Sequence, residues 1–561
     1  MTFLPTRKSP LLILGFDGAD FSIIDELVSE GKLPNLQNIM KTGIRSELLS
    51  TEPAATLPAW TNFMTGTTPD IHGVTNMFFH HPGAYTLRPA TGADRTIPTW
   101  LNIASRAGRS VACFGVPGTY PPEAINGIQV SGFDSPGGRC VPQSGIHPKE
   151  LHPYFENNGG WQFGIINEFD PRRDHQRAID TLITDLNRKE RLISGLLENR
   201  HFDIIMAHFQ ASDTVAHHYW HTHDLKSPRA TRSTRANFLS SVYEKLDQLI
   251  GRLRSKLPDN HQLLIVSDHG FQGAADHAIH LNRWLHQAGY LHFKGRVRKS
   301  ADRLLSHAAK AILQRAPHRL RNGTVRNLPP KLWGVAANIA RGQSINYATS
   351  LAFSDELDFA PSIWLNEAAL FSHGTIAPAD AAALSLHLKK QLTDLRHPTL
   401  GHPLFEKVTL RTDQGLSADK ASIPHLTLTP RLSGNYRPSF LPSHGPGPFV
   451  EAIDSELWAV KGSGMPGVHR REGIFIYTNP QQKAVLFPQL KIEEAGALIY
   501  RLLEVPAPNY VNELPPFLED LLPFAGSEIP SPLDSDVPYS INKPTPGRSE
   551  VAERLRTMGY L

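Results

Sequence analysis

Leu11-Leu12-Ile13-Leu14-Gly15-Phe16-Asp17-Gly18 is an apolar run that ends in an aspartate and a glycine. A short, continuous apolar run with a polar stop is typical of a strand buried on both faces of a parallel sheet. It is too short for the apolar segment of a signal peptide, and the acidic Asp17 follows it directly. We predict a central strand here, with Asp17 at its carboxyl end.

Three further apolar runs share this character, at residues 110–114, 204–207 and 263–266. Helical patterns lie between the runs, at residues 21–30 and at residues 176–198, where leucines recur near the helical period. Strands that alternate with helices form parallel sheets covered by helices. The sequence therefore predicts an α/β fold with a mostly parallel central sheet.

The composition is that of an ordinary globular protein. Apolar residues make up 40% of the 561 residues and charged residues 20%, which excludes a disordered chain. No stretch approaches the roughly 20 apolar residues that span a bilayer, so we predict no membrane partner and, by default, a cytoplasmic location. The net charge of +4 is too small to indicate nucleic-acid binding. The two cysteines, Cys113 and Cys140, cannot build a thiolate-rich site, so any metal must be held by His, Asp or Glu.

The length exceeds what one hydrophobic core usually supports, so several units are expected. We predict a core formed by residues 1–285 and 456–510, an inserted cap domain at 286–455, and a proline-rich arm at 511–561 that ends in a short helix over 549–558. Residues 293–326 carry ten lysines and arginines. A solvated helical face is the first interpretation of this basic stretch, and a surface for a phosphate-rich substrate or nucleic acid is the alternative.

Acidic and histidine side chains follow three of the four predicted strands. Asp17 follows the first strand, His208 and Asp213 follow the third, and Asp268 with His269 follows the fourth. Since the carboxyl ends of parallel strands open onto one crevice, we expect these side chains to converge. This convergence is the first indication of a site.

Two of these motifs also have simpler explanations. Asp213 and His217 are four residues apart and share one face of a helix, where they either grip one cation or form a surface ion pair. Asp268-His269-Gly270 is either a pair of ligands in a sharp turn or an ordinary turn. Taken together, the motifs favour a metal site.

Thr56, in Pro53-Ala54-Ala55-Thr56-Leu57-Pro58, is the candidate nucleophile. A threonine hydroxyl is a weak nucleophile unless a metal or a base lowers its pKa, and taken alone Thr56 would be a helix cap. If two cations bind beside Thr56, one cation could hold the threonine alkoxide and the other could hold the substrate oxygen in an in-line displacement. His469, before an apolar strand at residues 474–477, either completes such a site or is a loop histidine.

Four segments together resemble the alkaline phosphatase superfamily, in which two divalent metals flank a Ser or Thr nucleophile. They are residues 14–18, residues 56–62 with 65–73, residues 212–217, and residues 266–270. The closest branches are the type I phosphodiesterase and nucleotide pyrophosphatase group and the predicted cytoplasmic phosphohydrolase or phosphomutase group. The resemblance implies an alkaline phosphatase-like three-layer sandwich with an inserted cap. The basic stretch matches no motif of these families.

The resemblance also implies a role for each site residue. The expected ligands are Asp213, His217 and His469 for one divalent metal, and Asp17, Asp268, His269 and Thr56 for the other. Asn76 looks like the asparagine that supports a substrate phosphate oxygen in phosphodiesterase members, with a turn asparagine as the alternative. Zinc suits mixed nitrogen and oxygen ligands, and manganese would tolerate the carboxylate-rich set.

We therefore predict a two-metal phosphate-ester hydrolase that forms a phospho-threonine on Thr56. A phosphodiesterase or nucleotide pyrophosphatase is preferred because Asn76 is present and no cationic phosphate clamp accompanies the metal motifs. A phosphomonoesterase or phosphomutase is the alternative, with the basic cap as the clamp. An alternative from another class is a catalytically silent protein whose basic cap binds nucleic acid or a glycan precursor. The expected substrate is a small-molecule or nucleotide-like phosphate ester, and the oligomeric state is left open.

Overall fold

The computed structural model describes residues 9–136, 139–164, 174–230, 237–294, 345–414, 423–453, 464–480 and 484–521. Its strands are β1 (Leu11–Phe16), β2 (Ile44–Leu49), β3 (Phe78–His80), β4 (Leu87–Pro89), β5 (Val111–Val116), β6 (Gly127–Ser131), β7 (Ile146–His147), β8 (Ile204–Phe209), β9 (Gln262–Val266), β10 (Gly270–Ile279), β11 (Ala352–Phe353), β12 (Ser362–Leu365), β13 (Phe405–Leu410), β14 (Leu426–Pro430), β15 (Arg437–Phe440), β16 (Val450–Ala452), β17 (Gly467–Arg470), β18 (Glu472–Thr478), β19 (Val485–Leu486) and β20 (Leu490–Lys491).

The helices are α1 (Phe21–Ser29), α2 (Pro34–Thr42), α3 (Thr56–Thr65), α4 (Pro69–His72), α5 (Trp100–Arg106), α6 (His152–Asn157), α7 (His175–Asn199), α8 (Ala211–His223), α9 (Phe238–Arg254), α10 (Leu281–Gln287), α11 (Pro378–Thr393), α12 (Ile492–Leu502) and α13 (Pro516–Leu521). The predicted helices at residues 21–30 and 176–198 are confirmed as α1 and α7. None of the helices in the described ranges is both long and apolar enough to cross a membrane. The cytoplasmic location stays a prediction.

A ten-stranded sheet forms the centre of the molecule, in the order β19-β2-β18-β9-β1-β8-β5-β6-β7, with β20 paired to β2. The five adjacent strands from β9 to β6 are parallel. By contrast, β18 and β7 run antiparallel to their neighbours. All four predicted strands belong to the parallel part, so their carboxyl ends share one edge.

β1 sends its side chains alternately to the two faces of this sheet. Leu12 and Leu14 join a core that includes residues of α1, α2, α7, α8 and α9, whereas Leu11 and Ile13 join a second core with α3, α5 and α12. Each of the four is at most 1% exposed. Because both faces are covered, every position of the strand is apolar. The architecture is the expected three-layer sandwich with a mostly parallel central sheet.

Three smaller sheets complete the described fold, one of which is the antiparallel pair β3 and β4. The other two have four strands each. In one, β10 pairs with β15, β16 and β17, and the other is antiparallel in the order β11-β12-β14-β13. The second of these sheets has a core of its own, which it shares with α10 and α11. The division into a core, an inserted cap at 286–455 and an arm stays a prediction. Most of the basic stretch 293–326 and the predicted terminal helix lie outside the described residues.

Gly15 in β1 leaves room for Trp60 of α3, the helix that begins at Thr56. A Cβ atom at position 15 would lie 2.6 Å from Trp60 Cη2. Gly15→Ala is therefore expected to destabilise the fold by about 1–3 kcal/mol and to lower the thermal midpoint by several degrees.

Trp60→Phe supplies the control, because it removes the ring atoms that an alanine at position 15 would strike. The double variant should lose less stability than the sum of the two single variants. If the decreases in thermal midpoint of the two single variants simply add in the double variant, the contact with Trp60 is not what makes Gly15→Ala destabilising.

Candidate active site

Seven side chains from five parts of the chain gather at the carboxyl edge of the parallel strands. They are Asp17 after β1, Thr56 at the start of α3, Asp213 and His217 on α8, Asp268 and His269 in the turn from β9 to β10, and His469 on β17. Six of the seven are buried, and His469 is partly buried. The predicted convergence of the strand-end residues is present, and the distances define two groups.

The first group surrounds His269. Its Nε2 lies 3.6 Å from Asp17 Oδ1, 3.2 Å from Asp268 Oδ2 and 3.4 Å from Thr56 Oγ1. The backbone N–H of Gly18 donates to the other oxygen of Asp268 at 3.1 Å, which orients that carboxylate. Asp17, Asp268 and His269 are thus close enough for one cation.

The second group joins α8 to β17. Because Asp213 and His217 are one helical turn apart, the His217 Nε2 lies 3.2 Å from Asp213 Oδ1. His469 Nε2 lies 3.3 Å from the same oxygen and 3.0 Å from His217 Nε2. Asp213, His469 and His269 are also close enough together to bind one cation. The rings of His269 and His469 are stacked, with their centroids 3.6 Å apart. His269 therefore stands between the two groups.

All three histidines contact a backbone carbonyl through Nδ1. The partners are Gly467 O for His217 at 2.9 Å, Gly270 O for His269 at 3.1 Å and Ala54 O for His469 at 3.0 Å. A neutral imidazole that donates from Nδ1 presents the Nε2 lone pair, which is the form that binds metals. With lone pairs and carboxylate oxygens this close together, the cluster needs a positive charge.

The electrostatics of the apo site lead to the same conclusion. Burial raises the pKa of Asp17 to about 7, with the Asp213 carboxylate adding to the effect, and burial raises the pKa of Asp268 well above its ordinary value. Burial lowers the pKa of His269 to about 3 and also lowers the pKa of His469. Asp17 Oδ1 and Asp268 Oδ2 are buried without a hydrogen bond from the described residues. Oxygen and imidazole donors in this state fit divalent cations.

Thr56 is the first helical residue of α3, and Ala55 is the N-cap. Thr56 is therefore not the helix cap that the simpler interpretation suggested. Pro58 lies in the first turn, where its missing N–H costs nothing. The first N–H groups of a helix have no intrahelical partner, and they attract phosphate.

Asn76 follows helix α4 in the chain and is 8% exposed. Its Oδ1 accepts a hydrogen bond from the backbone N–H of Met77 at 2.7 Å, which is the turn contact of the alternative interpretation. The amide Nδ2 is then the atom that can donate to a ligand. The turn contact and a substrate contact are compatible.

Two further contacts support the cluster: Asp20 was not predicted from the sequence, whereas His208 was among the strand-end residues that were expected to converge. Asp20 accepts hydrogen bonds from Arg470 at 2.7 and 2.9 Å and from the Phe271 backbone at 3.0 Å, which ties β17 to the loop after β1. His208 Nε2 lies 2.9 Å from Asp17 Oδ2. The signal for Asp20 was faint, because it only follows Asp17 by three residues, whereas His208 is a strand-end histidine that pairs in register with Gly15.

Two cavities open at the loop that leads into Thr56, and the first of them also reaches the cluster. The first, called the apolar cavity, has a volume of about 320 Å³, and its lining includes His217, His469, Phe359, Leu428, Phe440 and Met465. The second, called the polar cavity, has a volume of about 710 Å³, and its lining includes Ser50, Pro58, Asn62, Thr75, Asn76 and Glu493. The two share Glu52, Pro53, Thr427 and Arg471.

Metal binding to this cluster should strengthen as the pH rises. The pKa of Asp17 is about 7 in the folded apo protein against 3.8 ordinarily, so its contribution to stability is complete below about pH 4 and is lost as the pH rises through 7. A cation displaces this proton, whereas His269 is already neutral above pH 5. The rise in thermal midpoint caused by zinc should be larger at pH 8 than at pH 6.

Asp17→Asn is the control, because it removes this titrating carboxylate. The variant should show a smaller pH dependence of the zinc effect. Equal zinc-induced shifts at pH 6 and pH 8 in the unaltered protein would contradict the assignment of a protonated apo cluster.

The profile of the type I phosphodiesterase / nucleotide pyrophosphatase family matches residues 11–365. No curated protein matches the chain. Among solved structures, human ectonucleotide pyrophosphatase / phosphodiesterase 5 aligns at 12% identity and a TM-score of 0.49 over 92% of this chain and 99% of that one.

The murine ectonucleotide pyrophosphatase / phosphodiesterase 5 aligns at 12% identity and a TM-score of 0.48, over 92% of this chain and all of that one. Phosphonoacetate hydrolase from Sinorhizobium meliloti 1021, in complex with phosphonoformate, aligns at 13% identity and a TM-score of 0.46 over 88% and 95%. Family membership rests on the match to residues 11–365, which is more than half of the chain. The chain belongs to the type I phosphodiesterase / nucleotide pyrophosphatase family, in the alkaline phosphatase superfamily, and is a phosphoric ester hydrolase.

Proposed function

We propose that this enzyme is a two-metal phosphodiesterase in which Thr56 attacks phosphorus. The observation that carries the proposal is the contact between Thr56 and the cluster: its hydroxyl lies 3.4 Å from His269 Nε2, beside two buried carboxylates. A structural threonine has no need of such surroundings. A nucleophile does, because its hydroxyl must lose a proton to react.

The proposal assigns the first group, Asp17, Asp268, His269 and Thr56, to one divalent ion, and Asp213, His217 and His469 to the other. Two bound cations would supply the charge that offsets the attacking and leaving oxygens of an in-line displacement. Zinc suits the three imidazole donors, and manganese is the alternative because three carboxylates take part.

The residues of the chain then divide the remaining work. Thr56 bonds to phosphorus and displaces the ester alcohol, and water hydrolyses the phospho-threonine to release a phosphate monoester. The helix N-terminus at Thr56 orients the phosphate oxygens, and Asn76 Nδ2 donates to one of them. Nδ1 contacts with backbone carbonyls hold the histidine rings in place throughout.

Diesters are preferred over monoesters because two of the three described lysines that line the polar cavity are already paired, with Lys491 as the exception. Lys389 lies 2.8 Å from Asp413, and Lys407 lies 3.0 Å from Glu52. Paired lysines are weaker clamps for the second negative charge of a monoester. The one observation in favour of a monoesterase is that these lysines line the polar cavity at all.

A silent binding protein is disfavoured by the cost of the cluster. Asp17, Asp213 and Asp268 are all buried, and burying carboxylates together is unfavourable without a positive partner. A protein that only bound a ligand through its cap would gain nothing from the unfavourable free energy of burying these three carboxylates.

Removal of the nucleophile is the direct test. Thr56→Ala should lower kcat by about 10³-fold or more with the fold and metal content retained, whereas Thr56→Ser keeps a hydroxyl and should retain measurable turnover. Acid-quenched samples of the unaltered enzyme should contain a phosphorylated peptide that includes Thr56. Full activity of the alanine variant, measured with stoichiometric metal, would rule the proposal out.

A substrate panel separates the alternatives. Bis(4-nitrophenyl) phosphate should be hydrolysed with kcat/KM about tenfold or more above that of 4-nitrophenyl phosphate, and a 4-nitrophenyl sulfate should be poor. A chelator should abolish the activity, and zinc or manganese should restore it. A preference for the monoester would instead support the phosphatase or mutase alternative.

A further inference from the structure

The two cavities meet at the loop that leads into the nucleophile. Glu52 and Pro53 line both of them, Ala54 lines the apolar cavity, and Pro58 lines the polar cavity. Thr56 comes between Ala54 and Pro58 in the chain. Thr56 itself lines neither cavity, but the loop that carries it separates the two. A phosphodiester has two substituents to place, one for each cavity.

The apolar cavity has charged residues in its lining, among them Glu406 and Glu472, but it offers no unpaired arginine among the described residues. Its arginines are each held by a carboxylate: Arg437 by Asp358 at 3.0 Å, Arg470 by Asp20 at 2.7 Å and Arg471 by Glu52 at 3.4 Å. The remaining wall contains Phe359, Leu428 and Phe440. Leu432 also lines this cavity and is 38% exposed.

The polar cavity differs in kind. Its wall next to α3 is built from hydroxyl and amide groups, including Ser50, Thr75 and Asn76. Ser50 is 3% exposed, and its hydroxyl has no hydrogen-bond partner among the residues of the described part of the chain. A buried hydroxyl of this kind is costly unless a ligand pairs with it.

From this contrast we infer the substrate class: a phosphodiester with one alkyl or aryl arm, which enters the apolar cavity, and one hydroxylated arm, which enters the polar cavity. The inference rests on the proposed function and deepens it. The apolar cavity of about 320 Å³ is roughly twice the volume that holds a benzene molecule in a protein core, so the apolar arm is of moderate size. The larger polar cavity suits a polyol or a sugar.

A series of glycerol phosphate esters with methyl, butyl or octyl as the second arm tests the inference. With the metal-loaded enzyme, kcat/KM should rise about fourfold for each CH₂ from methyl to butyl, because each buried CH₂ gains that factor. Methyl octyl phosphate, which lacks the hydroxylated arm, should be about tenfold or more poorer than the glycerol octyl ester. Binding of the same esters to metal-loaded Thr56→Ala, measured by calorimetry, should follow the same order.

Leu432→Asp tests the apolar cavity. Because Leu432 is 38% exposed, the substitution should leave the fold intact. The variant should flatten the dependence of kcat/KM on chain length. Leu400→Asp is the matched control, since Leu400 is 58% exposed and lines neither cavity. It should keep the full dependence on chain length.

Failure of the inference and failure of the proposed function give different results. Turnover of all esters with equal kcat/KM, or Kd values that do not depend on chain length, would overturn the inference and leave the phosphodiesterase standing. Absence of turnover with chain-length-dependent binding would overturn the proposed function and leave the two-arm site standing. Absence of binding to any ester would overturn the inference.

Discussion

Repulsion among buried carboxylates is the constraint on which the site depends. Asp17, Asp213 and Asp268 are each fully buried, and the charges of their neighbours raise the pKa of Asp17 and Asp268 beyond the effect of burial alone. A fold tolerates such a cluster only when it is rigid enough to hold the groups in place and when a cation offsets the unfavourable free energy of burying the carboxylates together. The remaining architecture can be understood as the frame that meets the first condition.

That frame begins with the parallel strands. β1 lies between β8 and β9, so the residues that follow these strands are neighbours by register, not by chance. Contacts behind the site add stiffness: Arg470 holds Asp20, and Ser212 donates to the backbone carbonyl of Asp17 at 2.7 Å. The three histidines are each fixed through Nδ1. The reactive side chains therefore have few alternative orientations, which is the condition for preorganised catalysis.

Much of this was predictable from the sequence, for a physical reason. Strands buried on both faces are continuous apolar runs, so β1, β5, β8 and β9 were evident, and each motif at a strand end could be assigned to one edge of the sheet. Asp213 and His217 followed from helical spacing. The pairing of His469 with His217 could not be deduced from spacing, because 252 residues separate them. Resemblance to a family supplied that contact.

The cavities were the least predictable part. Their walls combine the loop at residues 52–58 with β13, β14 and residues near 358–361. The sequence pattern of a single segment does not predict that these segments lie next to one another. The pairing of Glu52 with Lys407 is of the same kind, since it joins two segments 355 residues apart. Charge neutralisation inside a cavity is a property of the fold, and the linear order of charges does not reveal it. Most of the basic stretch of residues 293–326, which is evident in the sequence, lies outside the described residues.

The contact between His469 and the carbonyl of Ala54 spans 415 residues of sequence. On the ribosome, the loop that bears Thr56 emerges long before the strand that bears His469, and at ordinary synthesis rates the interval is roughly twenty seconds to more than a minute. During that time the nascent chain holds acidic residues whose last imidazole partner does not yet exist. The cluster of seven side chains therefore cannot be complete before residue 469 has been synthesised.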